Sequence, residues 1–106
     1  MLSLASRSWK AMSGQQRQHF LAGLQEAMAG LSSQGIEVLT LSVTEPHIDQ
    51  ASSHHFMGVW RFPDQRACQA LLAGIQASGW YEYFDHINAA GAQGEFAQHL
   101  LDLANV

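Results

Sequence analysis

The sequence predicts an α+β domain of element order β-α-β-β-α-β-α, and three observations predict it. Segments rich in aromatic and β-branched residues alternate with segments whose apolar residues recur at helical spacing. Capping and stop residues fall at the joins between them. Part of the first half also recurs in the second. Trp9, Ser13 and Leu21-Ala22-Gly23-Leu24-Gln25 return at one constant offset as Trp60, Asp64 and Leu72-Ala73-Gly74-Ile75-Gln76. Two similar β-α halves are what a ferredoxin-like β-α-β-β-α-β sheet carries, here with an extra C-terminal helix.

Each element has its own signal. Met1 to Ala5 is a short apolar strand, followed by a connector carrying Trp9. Ser13 and Gln16 form a capping-box pattern that opens a helix. Phe20, Leu24, Ala27, Met28 and Leu31 make its apolar stripe, and Gly35 ends it. Ile36 to Val43 is a strand in which Leu39, Leu41 and Val43 alternate with Val38, Thr40 and Ser42. Thr44 to Ser53 is a polar loop. His54 to Phe62 is the next strand, closed by Pro63-Asp64, and Asp64 is a good N-cap for the helix that follows. Cys68, Leu71, Leu72 and Ile75 recur at i, i+3, i+4 and i+7 as its buried stripe. Gly79 supplies the stop, and Tyr81 to Asn88 reads as another strand. After the turn Gly91 to Gly94, Glu95 to Ala104 is a closing helix with Phe96, Leu100 and Leu103 facing inward.

At 106 residues the chain fits a single domain, 1–106. Charged residues make up 13%, against ~25% in an average domain, so some surface is expected to be covered by a partner. The formal net charge is −4 with five Lys plus Arg and no basic cluster, which argues against nucleic acid and anionic membranes as partners. No apolar run approaches the ~20 residues of a membrane span, and no signal peptide is visible, so a cytoplasmic protein is expected. The single Cys68 has no internal partner and reads as a buried thiol.

The strand His54 to Phe62 is apolar on both faces. His54, Phe56, Gly58, Trp60 and Phe62 share one, and His55, Met57, Val59 and Arg61 share the other. The aliphatic face suits helix packing, which leaves the aromatic face as a pocket lining or a subunit interface. Two such sheets meeting face to face in a homodimer would bury it.

Trp9, Ser13 and Arg17, then His55-Phe56-Met57-Gly58-Val59-Trp60-Arg61-Phe62-Pro63, then Gly79-Trp80-Tyr81-Glu82-Tyr83-Phe84-Asp85-His86-Ile87-Asn88-Ala89-Ala90-Gly91 resemble a group of uncharacterised bacterial proteins. The resemblance covers nearly the whole chain. More distantly, a strand ending in Val59-Trp60-Arg61 before an acidic helix start resembles the dimeric α/β-barrel superfamily. That superfamily includes antibiotic-biosynthesis monooxygenases, EthD-like proteins, muconolactone isomerases and haem-degrading monooxygenases. The resemblance implies a ferredoxin-like protomer, a homodimer and a pocket, but not a reaction.

Six His residues invite a metal reading. His54 and His55 point to opposite strand faces and cannot chelate one ion together. His47 and Asp49 could share a ligand, but no Cys pair and no His-Glu-x-x-His pattern is present, so no metal site is expected. The chemistry gathers instead at the last strand. His86 is the catalytic candidate because its ordinary pKa of ~6.5 suits proton transfer near neutrality. His54, Phe56, Trp60, Tyr83, Phe84 and Asn88 are the candidate lining of a pocket for a small apolar or aromatic compound. A cofactor-independent oxygenase or isomerase fits these residues. A non-catalytic ligand-binding or purely structural homodimeric module fits them too. No cofactor is expected from the residues themselves, and haem is compatible with the resemblance.

Overall fold

The computed structural model describes residues 1–106. It is an α+β domain built on a four-stranded antiparallel sheet of order β2-β3-β1-β4. The strands are β1 (Leu2–Ala5), β2 (Glu37–Val43), β3 (Phe56–Arg61) and β4 (Phe84–Ile87). The helices are α1 (Arg7–Ala11), α2 (Gly14–Met28), α3 (Gln65–Ala77), α4 (Trp80–Tyr83) and α5 (Phe96–Ala104), with a 3₁₀ turn at Leu31–Gln34.

The caps form as their residues dictate. Ser13 Oγ accepts from Gln16 N–H while the Gln16 side chain accepts from Ser13 N–H, closing the capping box of α2. Asp64 Oδ1 accepts from Ala67 N–H at 2.8 Å and starts α3. Gly35 and Gly79 stand at φ 78° and 84°, a left-handed backbone open to glycine without strain. Ser13 and Asp64, matched in the sequence repeat, are thus both helix caps. Trp9 and Trp60 are not equivalent, since one is in α1 and the other in β3.

Four expectations are corrected. The connector after β1 contains a short helix, α1, whose Trp9 ring packs on Phe20, Tyr83 and Phe84. Leu31 lies outside α2, because the helix gives way to the 3₁₀ turn before Gly35. Trp80 to Tyr83 is one helical turn rather than strand, so Tyr81 and Tyr83 do not share a strand face with Asp85 and Ile87. Phe96, Leu100 and Leu103 of α5 are exposed, not inward, and α5 stands apart from the sheet. The radius of gyration, 16.1 Å against about 13 Å for a compact domain of 100 residues, reflects this projecting arm.

The fifth correction concerns which face of β3 meets the helices. Trp60 and Phe62 pack against the buried cluster of Ile36, Ala67, Leu71 and Ile75, so the aromatic face lies under α3. Residues opposite one another in an antiparallel ladder share a face. Ser3, Phe56 and His86 are in register, and so are Val38 and Trp60, which places them all on the helix side. A register shift between Val38 and Thr40 puts Leu41 and Val43 on that side as well, opposite Gly58 and Phe56. The other face carries Leu2, Leu4, Met57, Val59 and Ile87, with Thr40 and Ser42 at one edge and Asp85 at the other. No helix of the chain packs on it. The indoles and phenyl rings can fill the deep space beneath a helix, whereas the shorter aliphatic set makes a flatter surface.

Candidate functional site

The helix-side face of the sheet ends in a cleft. It lies between β3, α3 and the segment that leaves β4, and holds a volume of about 130 Å³, open to solvent on one side. Trp60 and Phe62 form its floor, Cys68 and Leu72 its α3 wall, and Asn88 and Ala90 its lip. That volume is below the ~300–1,000 Å³ of drug-sized ligand sites and suits a compound of about one ring. A smaller crevice of about 50 Å³ between α2 and α3, lined by Leu24, Met28, Leu31 and Leu71, has no polar side chain to orient a ligand.

Asn88 is tied to a chain of hydrogen bonds. Trp80 Nε1–H donates to His86 Nδ1 at 3.0 Å. His86 Nε2 and Asn88 Oδ1 are 2.8 Å apart, and Asn88 Nδ2 donates to Tyr81 Oη at 3.3 Å. The Trp80 ring stacks on buried Phe84 with centroids 4.0 Å apart, which fixes the indole that fixes His86. Burial lowers the His86 pKa from its ordinary value. The bond to Asn88 opposes this, while the Met1 ammonium and His54 add to it. His86 is therefore a neutral imidazole at neutral pH.

The candidate residues separate into three groups. Trp60 and Asn88 meet in the cleft, with His86 behind Asn88. Phe84 is buried and Tyr83 packs on Trp9 and Phe20, so both belong to an aromatic cluster that supports the site from behind. Phe56 lies farther along the same sheet face, and His54 lies in the segment before β3, outside the strand. Phe56 is partly exposed, and His54 Nδ1 is buried with no hydrogen-bond partner. Ser3 Oγ and Trp60 Nε1 are likewise buried and unpartnered. Sequence reasoning missed Trp80, Tyr81, Cys68 and Leu72 as neighbours of the site. The i, i+4 spacing of Cys68 and Leu72 was a usable signal, since it puts both on one stripe of α3. No three His, Cys, Asp or Glu side chains stand close enough together to hold a metal ion.

Fold and site define a small α+β domain with an antiparallel sheet and one apolar cleft edged by an amide. Residues 4–106 match a family of unknown function, DUF6616, and the chain belongs to it. No curated protein and no solved structure matches the chain. No helix is long and apolar enough to cross a membrane.

Proposed function

We propose that the protein is a homodimeric small-molecule-binding protein whose ligand is a small apolar or aromatic compound held in the cleft beside Trp60. The observation that carries this reading is the cleft itself, an apolar space with the Asn88 amide at its lip. Apolar walls supply affinity through burial, and one fixed polar group supplies orientation.

Binding without chemistry is the form the site supports best. Both nitrogens of His86 are hydrogen-bonded, one to Trp80 and the other to Asn88. A role as acid or base, as an oxygenase or isomerase would need, requires breaking one of those bonds. The reading assigns no metal and no cofactor to the chain.

The protomer is read as ferredoxin-like, and its dimer as an α/β barrel. Support comes from the strand order β2-β3-β1-β4 and from the sheet face that no helix covers. That face has an apolar centre of Leu2, Leu4, Met57, Val59 and Ile87 and a polar edge, the pattern of a protein interface.

The test is thermal unfolding with a panel of one- and two-ring aromatic compounds, on the native chain and on Leu72→Trp, which fills the cleft. At least one compound should raise the midpoint of the native chain and leave the variant unmoved. A panel with no effect, or equal shifts in both proteins, would refute the reading.

A further inference from the structure

We infer that the cleft selects an otherwise apolar compound bearing a hydrogen-bond-accepting oxygen, a ketone carbonyl being the simplest, to which the Asn88 amide donates. This rests on the cleft being the ligand site.

An indole N–H can only donate, so His86 Nδ1 must present a lone pair to Trp80. A neutral imidazole has one proton, which must then sit on Nε2. Nε2 faces Asn88 at 2.8 Å, so the Asn88 atom on that side is the carbonyl Oδ1 and not the amino group. The amide is thereby locked in one of its two orientations, with its NH₂ turned away from His86. One of those N–H groups goes to Tyr81 Oη. The other has no partner in the chain, and Asn88 is exposed at the edge of the cleft, where water meets that N–H until a ligand displaces it.

Trp60 Nε1, also a pure donor, is buried without a partner, but it lies over Gly58, which does not line the cleft, so the selectivity is carried by Asn88. No carboxylate and no side-chain carbonyl is left free in the lining to accept from the Asn88 amide. A hydrocarbon in the cleft would cover the free Asn88 N–H and give it nothing in return, whereas a carbonyl of the same shape would satisfy it.

Acetophenone and ethylbenzene share a shape and differ in the carbonyl. Each is titrated into the full-length, ¹⁵N-labelled protein and followed through side-chain amide resonances. Acetophenone should bind about five- to tenfold more tightly, the return on one hydrogen bond. One of the two Asn88 Nδ2 proton resonances should move downfield with acetophenone only. Asn88→Asp keeps an oxygen for His86 and replaces the donor with an acceptor, so the preference should vanish there. Equal affinities for the two compounds in the native chain would overturn the acceptor selectivity while leaving the cleft as a binding site. A preference that survives in Asn88→Asp would overturn the part given to Asn88. Failure of both compounds to bind would overturn the selectivity together with the cleft reading beneath it. The native-chain resonance shift is independent of how well the variant folds.

Discussion

Trp80 Nε1–H and His86 Nδ1 lie 3.0 Å apart, six residues apart in sequence, across the junction where α4 becomes β4. That one bond sets the His86 tautomer, and the tautomer sets which way the Asn88 amide faces. The left-handed Gly79 turns the chain into α4, and the stack of Trp80 on Phe84 holds the indole in place. A backbone turn is thus linked, residue by residue, to the one polar group at the lip of the cleft.

Stability should depend on pH through His86. Its folded pKa is lowered, so between that value and the unfolded ~6.5 the unfolded chain binds more protons. Stability is therefore complete above ~6.5, declines as pH falls below it, and levels off below the folded pKa. Protonation at Nδ1 would also break the bond from Trp80. Thermal midpoints measured from pH 7.5 to 5 should fall, and His86→Phe should flatten part of that slope. Equal slopes in the two proteins would remove His86 as the source.

The same variant should lose stability at pH 7.5. It leaves the partly buried Trp80 N–H without its acceptor, which costs about 1 kcal/mol. Urea unfolding at constant m-value reads the difference. If Trp80 instead finds another partner, the variant will match the native chain.

The two caps should each contribute about 1 kcal/mol, so Ser13→Ala and Asp64→Ala should lower the urea midpoint by comparable amounts. Leu71→Ala should cost about 2–5 kcal/mol, because Leu71 is 4% exposed at the centre of the buried cluster. Distant sites add, so Ser13→Ala with Asp64→Ala should sum within about 0.5 kcal/mol.

These caps, the stop at Gly79 and the stripe of Leu71 and Ile75 were legible in the sequence, because each is a local rule satisfied by neighbouring residues. The orientation of β3 was not. Alternation divides its residues into two faces but does not say which face meets the helices when both are apolar. The register shift beyond Val38 is hidden in the same way: it reassigns Leu41 and Val43 relative to Val38, and only pairing with Gly58 and Phe56 reveals it. Tyr81 to Tyr83 read as strand because aromatic residues favour strands, and a contact outside the segment, Trp9 on Tyr83, accompanies the turn instead. At the site, His86 and Asn88 stood out as alternate residues of one strand, while Trp80 and Tyr81 joined them only through the helical turn.

Cys68 should report on the cleft. It lies on the α3 wall and is partly exposed, so a small aromatic disulfide reagent should reach it in native buffer. A compound that occupies the cleft should slow that reaction in proportion to its occupancy, and Leu72→Trp should slow it without any compound. A rate indifferent to both would mean that the thiol is reached from another side.

The open face of the sheet yields the last prediction. Only 7 of 106 residues are buried in the single chain, a small core for a domain of this length, and much of the apolar surface faces solvent. Val59 and Ile87 are 39% and 54% exposed on that face, with Leu2, Leu4 and Met57 between them. Contiguous apolar surface rimmed by polar residues marks an interaction site. A second copy related by a two-fold axis offers the same surface in return, and two such faces would bury at least the ~1,000 Å² of a specific interface. The Arg61–Glu37 pair at 3.4 Å would then sit at the polar edge, where it sets register more than affinity. Light scattering at micromolar concentration should give twice the 11.6 kDa chain mass. Val59→Glu places a charge at the centre of the face and should shift the mass to that of one chain, with helical circular dichroism retained at low temperature. Val38→Glu, on the edge strand and the opposite face, is the matched control and should remain dimeric. A native chain that scatters as a monomer, or a Val59→Glu variant that stays dimeric, would exclude this face as the interface.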